Sequence, residues 1–286
     1  MRSTHSSGAI IALIASHNRR DLTVRAIELF AASAEKVPFA ARAILVDDGS
    51  SDGTAAAVRQ AASVPIEIID GDGNWFWARS LATAERRALE SAGDADFLLW
   101  LNDDVALDNN AVTRLLAAAK RYPAAAIVGS VRDSETGLLT YGGLKRAGRH
   151  PLAFAPIEPH ETDATPAATM NGNVVLVPVP LARQLGGVDG EFSHAFADID
   201  YGLRAAALGA GPIVAPGTYG TCSRNRTTTS PTRREAWRRF TSPKGGGDLK
   251  ATARILQRAT PKTWPAWWLA TYSAWWARRL RRANGY

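Results

Sequence analysis

Phe97-Leu98-Leu99-Trp100-Leu101-Asn102-Asp103-Asp104-Val105 opens with five consecutive apolar residues and stops at an amide and two carboxylates. An uninterrupted apolar run of this length reads as a strand buried on both faces, the kind found inside α/β sheets. Ligands of open α/β sheets bind beyond the carboxyl ends of the strands, so Asn102, Asp103 and Asp104 stand where a ligand would. Adjacent carboxylates at such an edge repel each other unless they are solvated, hydrogen-bonded or bound to a cation. A divalent ion carrying a phosphate suits that edge.

Outward from this strand the chain alternates. Strands are predicted at Ala9–Ala15, Ala43–Val46, Ile66–Ile69 and Ala125–Val131. Helices are predicted at Leu22–Ala34, Ala55–Ala62 (capped by Ser51 or Asp52), Ala78–Ser91 and Asn110–Tyr122, the last stopped by Pro123. This rhythm predicts an α/β fold with a mostly parallel, Rossmann-like central sheet flanked by helices. Residues 132–169, rich in Gly, Pro and His, read as hairpins and loops over the sheet edge. Asn173–Val177 returns as a strand, Asp198–Leu208 as a helix and Ile213-Val214 as a short strand. Thr218–Gly247 reads as a polar loop ending in the Gly245-Gly246-Gly247 junction.

Composition narrows the setting. The chain has 286 residues, a formal net charge of +7 and one cysteine, Cys222, which rules out an internal disulfide framework and fits a reducing compartment. The apolar run Ala9–Ala15 is too short to span a bilayer and is followed by Arg19-Arg20-Asp21, so neither a signal peptide nor a transmembrane helix is expected. The basic excess is concentrated from Arg224 onward, in Arg233-Arg234, Arg238-Arg239 and Arg278-Arg279-Leu280-Arg281-Arg282. Just before the last cluster, Trp264, Trp267-Trp268, Tyr272 and Trp275-Trp276 recur at helical spacing. Such a stripe either packs on the body of the protein or lies in a membrane interface with Arg toward lipid phosphates.

Three further strand ends carry chemistry. After the first strand, Ser16-His17-Asn18-Arg19 offers Asn18 and Arg19 to a base or a phosphate. After the second, Asp47-Asp48 precedes Gly49-Ser50-Ser51-Asp52-Gly53-Thr54, and a carboxylate here can accept from a base imide or a ribose hydroxyl. Ser50, Ser51 and Asp52 themselves read as a turn and a helix cap. After the third, Gly71-Asp72-Gly73-Asn74-Trp75-Phe76-Trp77-Ala78-Arg79 leads into a helix whose N-terminus, with Arg79 beside it, suits a diphosphate. The chain contains neither a Walker loop nor a G-x-G-x-x-G fingerprint, which weighs against P-loop NTPases and Rossmann dehydrogenases.

Together with Phe196-Ala197-Asp198-Ile199-Asp200-Tyr201-Gly202-Leu203-Arg204, these segments resemble family 2 glycosyltransferases of the GT-A fold, in their rhamnosyltransferase-like branch, over residues 9–225. The resemblance implies a UDP- or dTDP-linked sugar donor, a saccharide or lipid-linked saccharide acceptor and a divalent cation, Mn2+ or Mg2+. Asn102-Asp103-Asp104 takes the place of the family's D-x-D motif, with Asp104 as the metal carboxylate and uncharged Asn102 in place of the first Asp. Asp47 and Asp48 match the carboxylates near the base, and Arg79 faces the diphosphate. Asp198 falls on the catalytic-base position, with Ala197 replacing the preceding Glu and Asp200 two residues on. Cys222, in Gly220-Thr221-Cys222-Ser223-Arg224-Asn225, stands near the position of a metal-binding histidine; it is either a soft thiolate ligand or a small buried residue. Trp75, Trp77, His194 and Asp200 are candidates for acceptor or sugar contacts, packing being the alternative for both tryptophans.

The expected organisation is a glycosyltransferase domain over residues 1–230 and a basic, Trp-rich helical extension over 231–286. The expected location is the cytoplasm, peripheral at the inner face of the plasma membrane, with no nucleic-acid partner. Three alternatives remain on the sequence alone. They are a nucleotidyltransferase, a non-catalytic binder of anionic surfaces or nucleic acid, and a transferase scaffold that has lost activity.

Overall fold

The computed structural model describes residues 8–192, 194–223 and 232–283. Arg224 and Asn225 lie outside the described residues, as do the side chains of Arg281 and Arg282. The chain runs β1 (Ala9–Ser16), α1 (Arg20–Ala34), β2 (Ala40–Asp47), α2 (Thr54–Ala61), β3 (Ile66–Asp70), α3 (Phe76–Leu89) and β4 (Phe97–Leu101). Then come β5 (Ala106–Leu107), α4 (Ala111–Arg121), β6 (Ile127–Arg132), β7 (Leu139–Tyr141), β8 (Gly143–Arg146), β9 (Phe154–Pro156), β10 (Thr165–Pro166) and β11 (Thr169–Met170). It closes with β12 (Val174–Pro178), α5 (Val179–Leu185), α6 (Ala197–Ala207), β13 (Ile213–Thr221), α7 (Arg233–Phe240), α8 (Leu249–Ala259) and α9 (Trp264–Ala283).

The main sheet has the order β10-β13-β6-β12-β4-β1-β2-β3. Strands β3, β2, β1 and β4 are mutually parallel, and β13 is parallel to β6. The reversed strand β12 is antiparallel to both β4 and β6. The residues of β4 alternate between the two faces as a strand's period of two requires. Leu98 and Trp100 join the core under α3, α5 and α6, whereas Leu99 and Leu101 join the core under α1, α2 and α4. Both faces are therefore covered, and the sheet edge at the strand ends is left for a ligand.

Three segments depart from the sequence reading. β13 continues to Thr221 through register shifts, past the short Ile213-Val214 strand and into the polar loop expected from Thr218. α7 lies inside the expected polar loop, started by a capping box in which Thr232 Oγ1 accepts from the Glu235 N–H and Glu235 reaches back to the Thr232 N–H. α2 is preceded by Gly53 in the left-handed region (φ 81°), while Asp52 accepts from the Thr54 N–H and hydroxyl. Residues 232–283 are mostly helical, in α7, α8 and α9, and α8 contributes Ala251 and Ile255 to the core under α6. Among the described residues no helix is long and apolar enough to cross a membrane.

One buried carboxylate ties the layers together. Glu85 of α3 is fully buried, accepting from the Val188 N–H at 2.7 Å and from the Tyr201 hydroxyl of α6 at 3.2 Å. Burial pushes it up to about 7, against the opposing pull of those two donors and Arg204. The folded state therefore binds a proton that the unfolded chain releases near pH 4.5, so this contribution is complete at low pH and is lost as pH rises toward 7. It amounts to on the order of 3 kcal/mol. Glu85→Gln, which can keep both contacts, is expected to flatten the fall in melting temperature between pH 5 and 8; an unchanged slope would remove Glu85 as its source.

Candidate active site

A cleft of about 690 Å³ opens where β1, β2 and β4 end. Its walls hold Arg19, Asp48, Trp77, Asn102, Asp103, Asp104, His194 and Asp198, eight of the residues singled out in the sequence. Among the described residues three non-glycines have left-handed φ: Asn18 (52°), Phe76 (53°) and Phe196 (77°). Phe76 and Phe196 line the cleft and Asn18 adjoins Arg19, so the backbone strain of the chain is gathered around this opening.

On one side stands the edge of β4. Arg19 Nη1 lies 3.0 Å from Asp103 Oδ1 and 2.8 Å from Asp104 Oδ2, so one guanidinium bridges the adjacent carboxylates and offsets one of their two charges. Asp103 is buried, which pushes it up to about 6 despite Arg19, with Asp104 adding like charge. The other oxygen of Asp104 accepts from the Cys222 thiol at 3.4 Å. Burial, then the neighbouring Asp104, push that thiol well above its ordinary range, so Cys222 meets Asp104 as a neutral donor.

On the other side Asp198 sits in the first turn of α6. Its carboxylate accepts from the Gly172 N–H at 3.1 Å and from its neighbour Ile199 at 2.8 Å. Burial raises its pKa, opposed by these donors and by Asn171. The two sides meet through one indole. Trp77 Nε1 donates to Asn102 Oδ1 at 2.8 Å, and the Trp77 ring lies against Gly172, where an added Cβ would come within 2.5 Å of it and 3.4 Å of the Asp198 Cβ. Only a glycine fits between the tryptophan and the carboxylate.

The remaining sequence candidates brace the cleft or lie outside it. Asp48 spends its carboxylate on the backbone N–H groups of Gly73, Trp75 and Phe76 at 2.8–3.2 Å. Asp47 is buried and accepts from the Ser50 N–H at 3.1 Å. Asn18 accepts from the Ser51 N–H at 2.8 Å, joining the loops after β1 and β2. Arg79 stacks on Trp75, 4.6 Å from its ring centroid, and neither lines the cleft. Asp200 is buried between Arg204 and Arg258, both at 2.8 Å, also off the cleft.

Among the cleft residues that no motif announced are Asn171, Gly172 and Asn173, before β12, and Lys244, just ahead of the glycine junction. Desolvation by the cleft wall, then Lys244 and Arg19, push the imidazole of His194 down, although the residue itself is exposed. Ser80 Oγ, in the cleft wall, is buried with no hydrogen-bond partner among the described residues.

The family model described as glycosyl transferase family 2 matches residues 12–173, from β1 through the Asn102–Asp104 edge to the Gly172 contact. The chain belongs to glycosyltransferase family 2. Among relatives of this family 2 chain is the N-acetylglucosaminyl-diphospho-decaprenol L-rhamnosyltransferase of Mycobacterium tuberculosis, 28% identical over 189 residues. That alignment spans 58% of the chain and 61% of the relative. Two solved structures share the fold. A mannosyltransferase from Pyrobaculum calidifontis in complex with GDP-Man and Mn2+ has a TM-score of 0.54 at 14% identity, covering 92% of this chain and 69% of that one. Residues 1–349 of S. aureus TarS in complex with UDP-GlcNAc have a TM-score of 0.59 at 10% identity, covering 87% and 65%.

Whether the edge of this family 2 chain suits a divalent cation turns on its donors. Among the described residues there is no cluster of three or more His, Cys, Asp or Glu side chains that could hold a metal by themselves. Mg2+ and Mn2+ are commonly held by one or two carboxylates together with substrate phosphates, and Asp104 with Asp103 supplies that much. The residues thus fit a cation that arrives on a diphosphate rather than one caged by protein, provided Arg19 leaves Asp104.

Proposed function

We propose that the chain is a metal-dependent, inverting glycosyltransferase that moves a sugar from a UDP- or dTDP-linked donor to a hydroxyl of a saccharide or lipid-linked saccharide. We place this reaction in surface-polysaccharide or glycolipid assembly at the cytoplasmic face of a membrane. The observation that carries this reading is the contact Asn102–Trp77–Gly172–Asp198. It puts a carboxylate of raised pKa and a strand edge suited to diphosphate on the two sides of one indole ring. The rhamnosyltransferase relative and the neutral Asn102 favour a deoxyhexose such as rhamnose as the sugar, and the family match favours sugar transfer over nucleotidyl transfer.

In this reading Asp198 takes the proton of the acceptor hydroxyl as that oxygen attacks the anomeric carbon from the side opposite the diphosphate. Its raised pKa makes it a stronger base than an exposed aspartate. Trp77 keeps Asn102 and Gly172 in place and offers the sugar an aromatic face. When bound, a divalent cation on Asp104, with Asp103 beside it, would offset the negative charge of the departing diphosphate.

Thermal shift with a panel of nucleotide sugars and nucleoside diphosphates tests the donor and the cation separately. With Mn2+ and donor at about a hundred times Kd, the melting temperature should rise by roughly 5–10 °C. In chelator, or in Asp104→Asn, most of that rise should vanish. An equal rise in chelator overturns the cation; no rise with any nucleotide overturns the transferase reading. The anomeric configuration of the product, read by NMR, tests inversion.

A further inference from the structure

The last helix has two unlike faces. Inward, Tyr272 and Trp275 are buried against Trp237 and Phe240 of α7, with ring centroids 5.0–6.0 Å apart. Outward, Leu269, Trp276 and Leu280 are 60%, 39% and 50% exposed, and Ala266 and Ser273 complete their row. Spacings of three and four put all five on one stripe of the helix. The aromatic run of the sequence is therefore split: one edge is core and the other is an apolar strip facing outward.

Charge distinguishes what such a strip could meet. Residues 224–286 contain fifteen Lys or Arg and two carboxylates, Glu235 and Asp248, with none after 248. Residues 1–223 contain nineteen Lys or Arg and twenty-five Asp or Glu. A +13 segment thus follows a body of −6. Trp237 packs on Trp276 at 5.2 Å, which brings α7, with exposed Arg233, Arg234, Arg238 and Arg239, alongside the Arg278 end of α9. A second copy would set like charges together across the strip, and a nucleic acid has no use for exposed leucines. An anionic bilayer surface answers both features, since apolar side chains enter the headgroup boundary while guanidinium groups meet lipid phosphates.

We propose that the outward strip of α9, flanked by the arginines of α7, docks this chain onto an anionic lipid surface, with the helix lying in the interface. This deepens the reading of a membrane-face transferase, yet it rests on none of the cleft residues.

The experiment is co-sedimentation of the full chain with vesicles of phosphatidylcholine alone or mixed equally with phosphatidylglycerol, at low and high salt. Binding is expected to the mixed vesicles only, weakened by salt. It should fall at least about tenfold in Leu269→Asp/Leu280→Asp and in Arg238→Glu/Arg239→Glu. Both variants should keep the parent's melting temperature and nucleotide-induced shift, so a failure here leaves the transferase reading standing and the reverse also holds. Unchanged vesicle binding in folded variants, equal binding to neutral vesicles, a dimer in solution that the leucine changes dissolve, or tighter binding to nucleic acid than to vesicles would each overturn the proposal.

Discussion

Asp198→Asn is expected to lower kcat by roughly 10²–10⁴-fold, the usual worth of a positioned general base, while donor affinity stays within about twofold. The amide is close in shape but keeps a single accepting oxygen, so it can hold one of the Gly172 and Ile199 N–H groups and α6 should keep its place at some cost in stability. What it loses is the ability to take a proton. The wild-type rate should rise with pH across the raised pKa of Asp198, and that limb should be missing from the residual activity of the variant. Full transfer by Asp198→Asn would leave the carboxylate as a helix-end residue and nothing more. Loss of donor binding together with kcat would instead mark it as part of the donor pocket.

Asp48→Ala is expected to cost roughly 5 kcal/mol of stability and about 10–20 °C in melting temperature. The carboxylate is buried, and both of its oxygens serve the turn between β3 and α3, accepting from Gly73, Trp75 and Phe76. Removing it strands three N–H groups beside a residue, Phe76, that is already held at φ 53°. The two turns approach closely here, since a Cβ at Gly71 would come within 2.9 Å of the Asp48 Cα. Asp48→Asn, with one accepting oxygen left, should lose roughly half as much. Because Trp77 follows directly, the alanine variant should also loosen the cleft, and donor-induced stabilisation should drop with it. A fall of under about 3 °C in melting temperature would mean that the turn holds its shape without the carboxylate.

The legible part of this molecule was the part governed by periodicity. The Phe97–Leu101 run, the helix carrying Val24, Ile27 and Phe30, and the polar stops after each strand led to the sheet, its flanking helices and the edge where the cleft opens. The direction of β12 was not legible, because Val174-Val175-Leu176-Val177 is equally apolar read up or down the sheet. α7 went unread because Ala236 is its one buried residue, although Thr232-x-x-Glu235 was a usable start signal. Strand-end position pointed to Arg19, Asp48, Asn102, Asp103 and Asp104, all of which line the cleft, but could not tell a side chain aimed into it from one spent on a neighbour. Asp48 is the clearest case, and Arg79, drawn onto Trp75, is another. Asn171, Gly172 and Lys244 carry no motif, and their role comes from what lies opposite them in space.

The reversed strand also sets an order of assembly. β4 is a flat row of Phe-Leu-Leu-Trp-Leu whose free edge is covered by β12, more than seventy residues later in the chain. Until Val174–Pro178 arrives, that edge presents unpaired amides and apolar side chains together, the combination most prone to pair with another molecule. The stretch matched by the family model ends at residue 173, one residue short of the strand that closes this gap. A piece cut at that border would carry the strand ends of the cleft yet expose the centre of its sheet, so expression boundaries for this chain belong beyond β12.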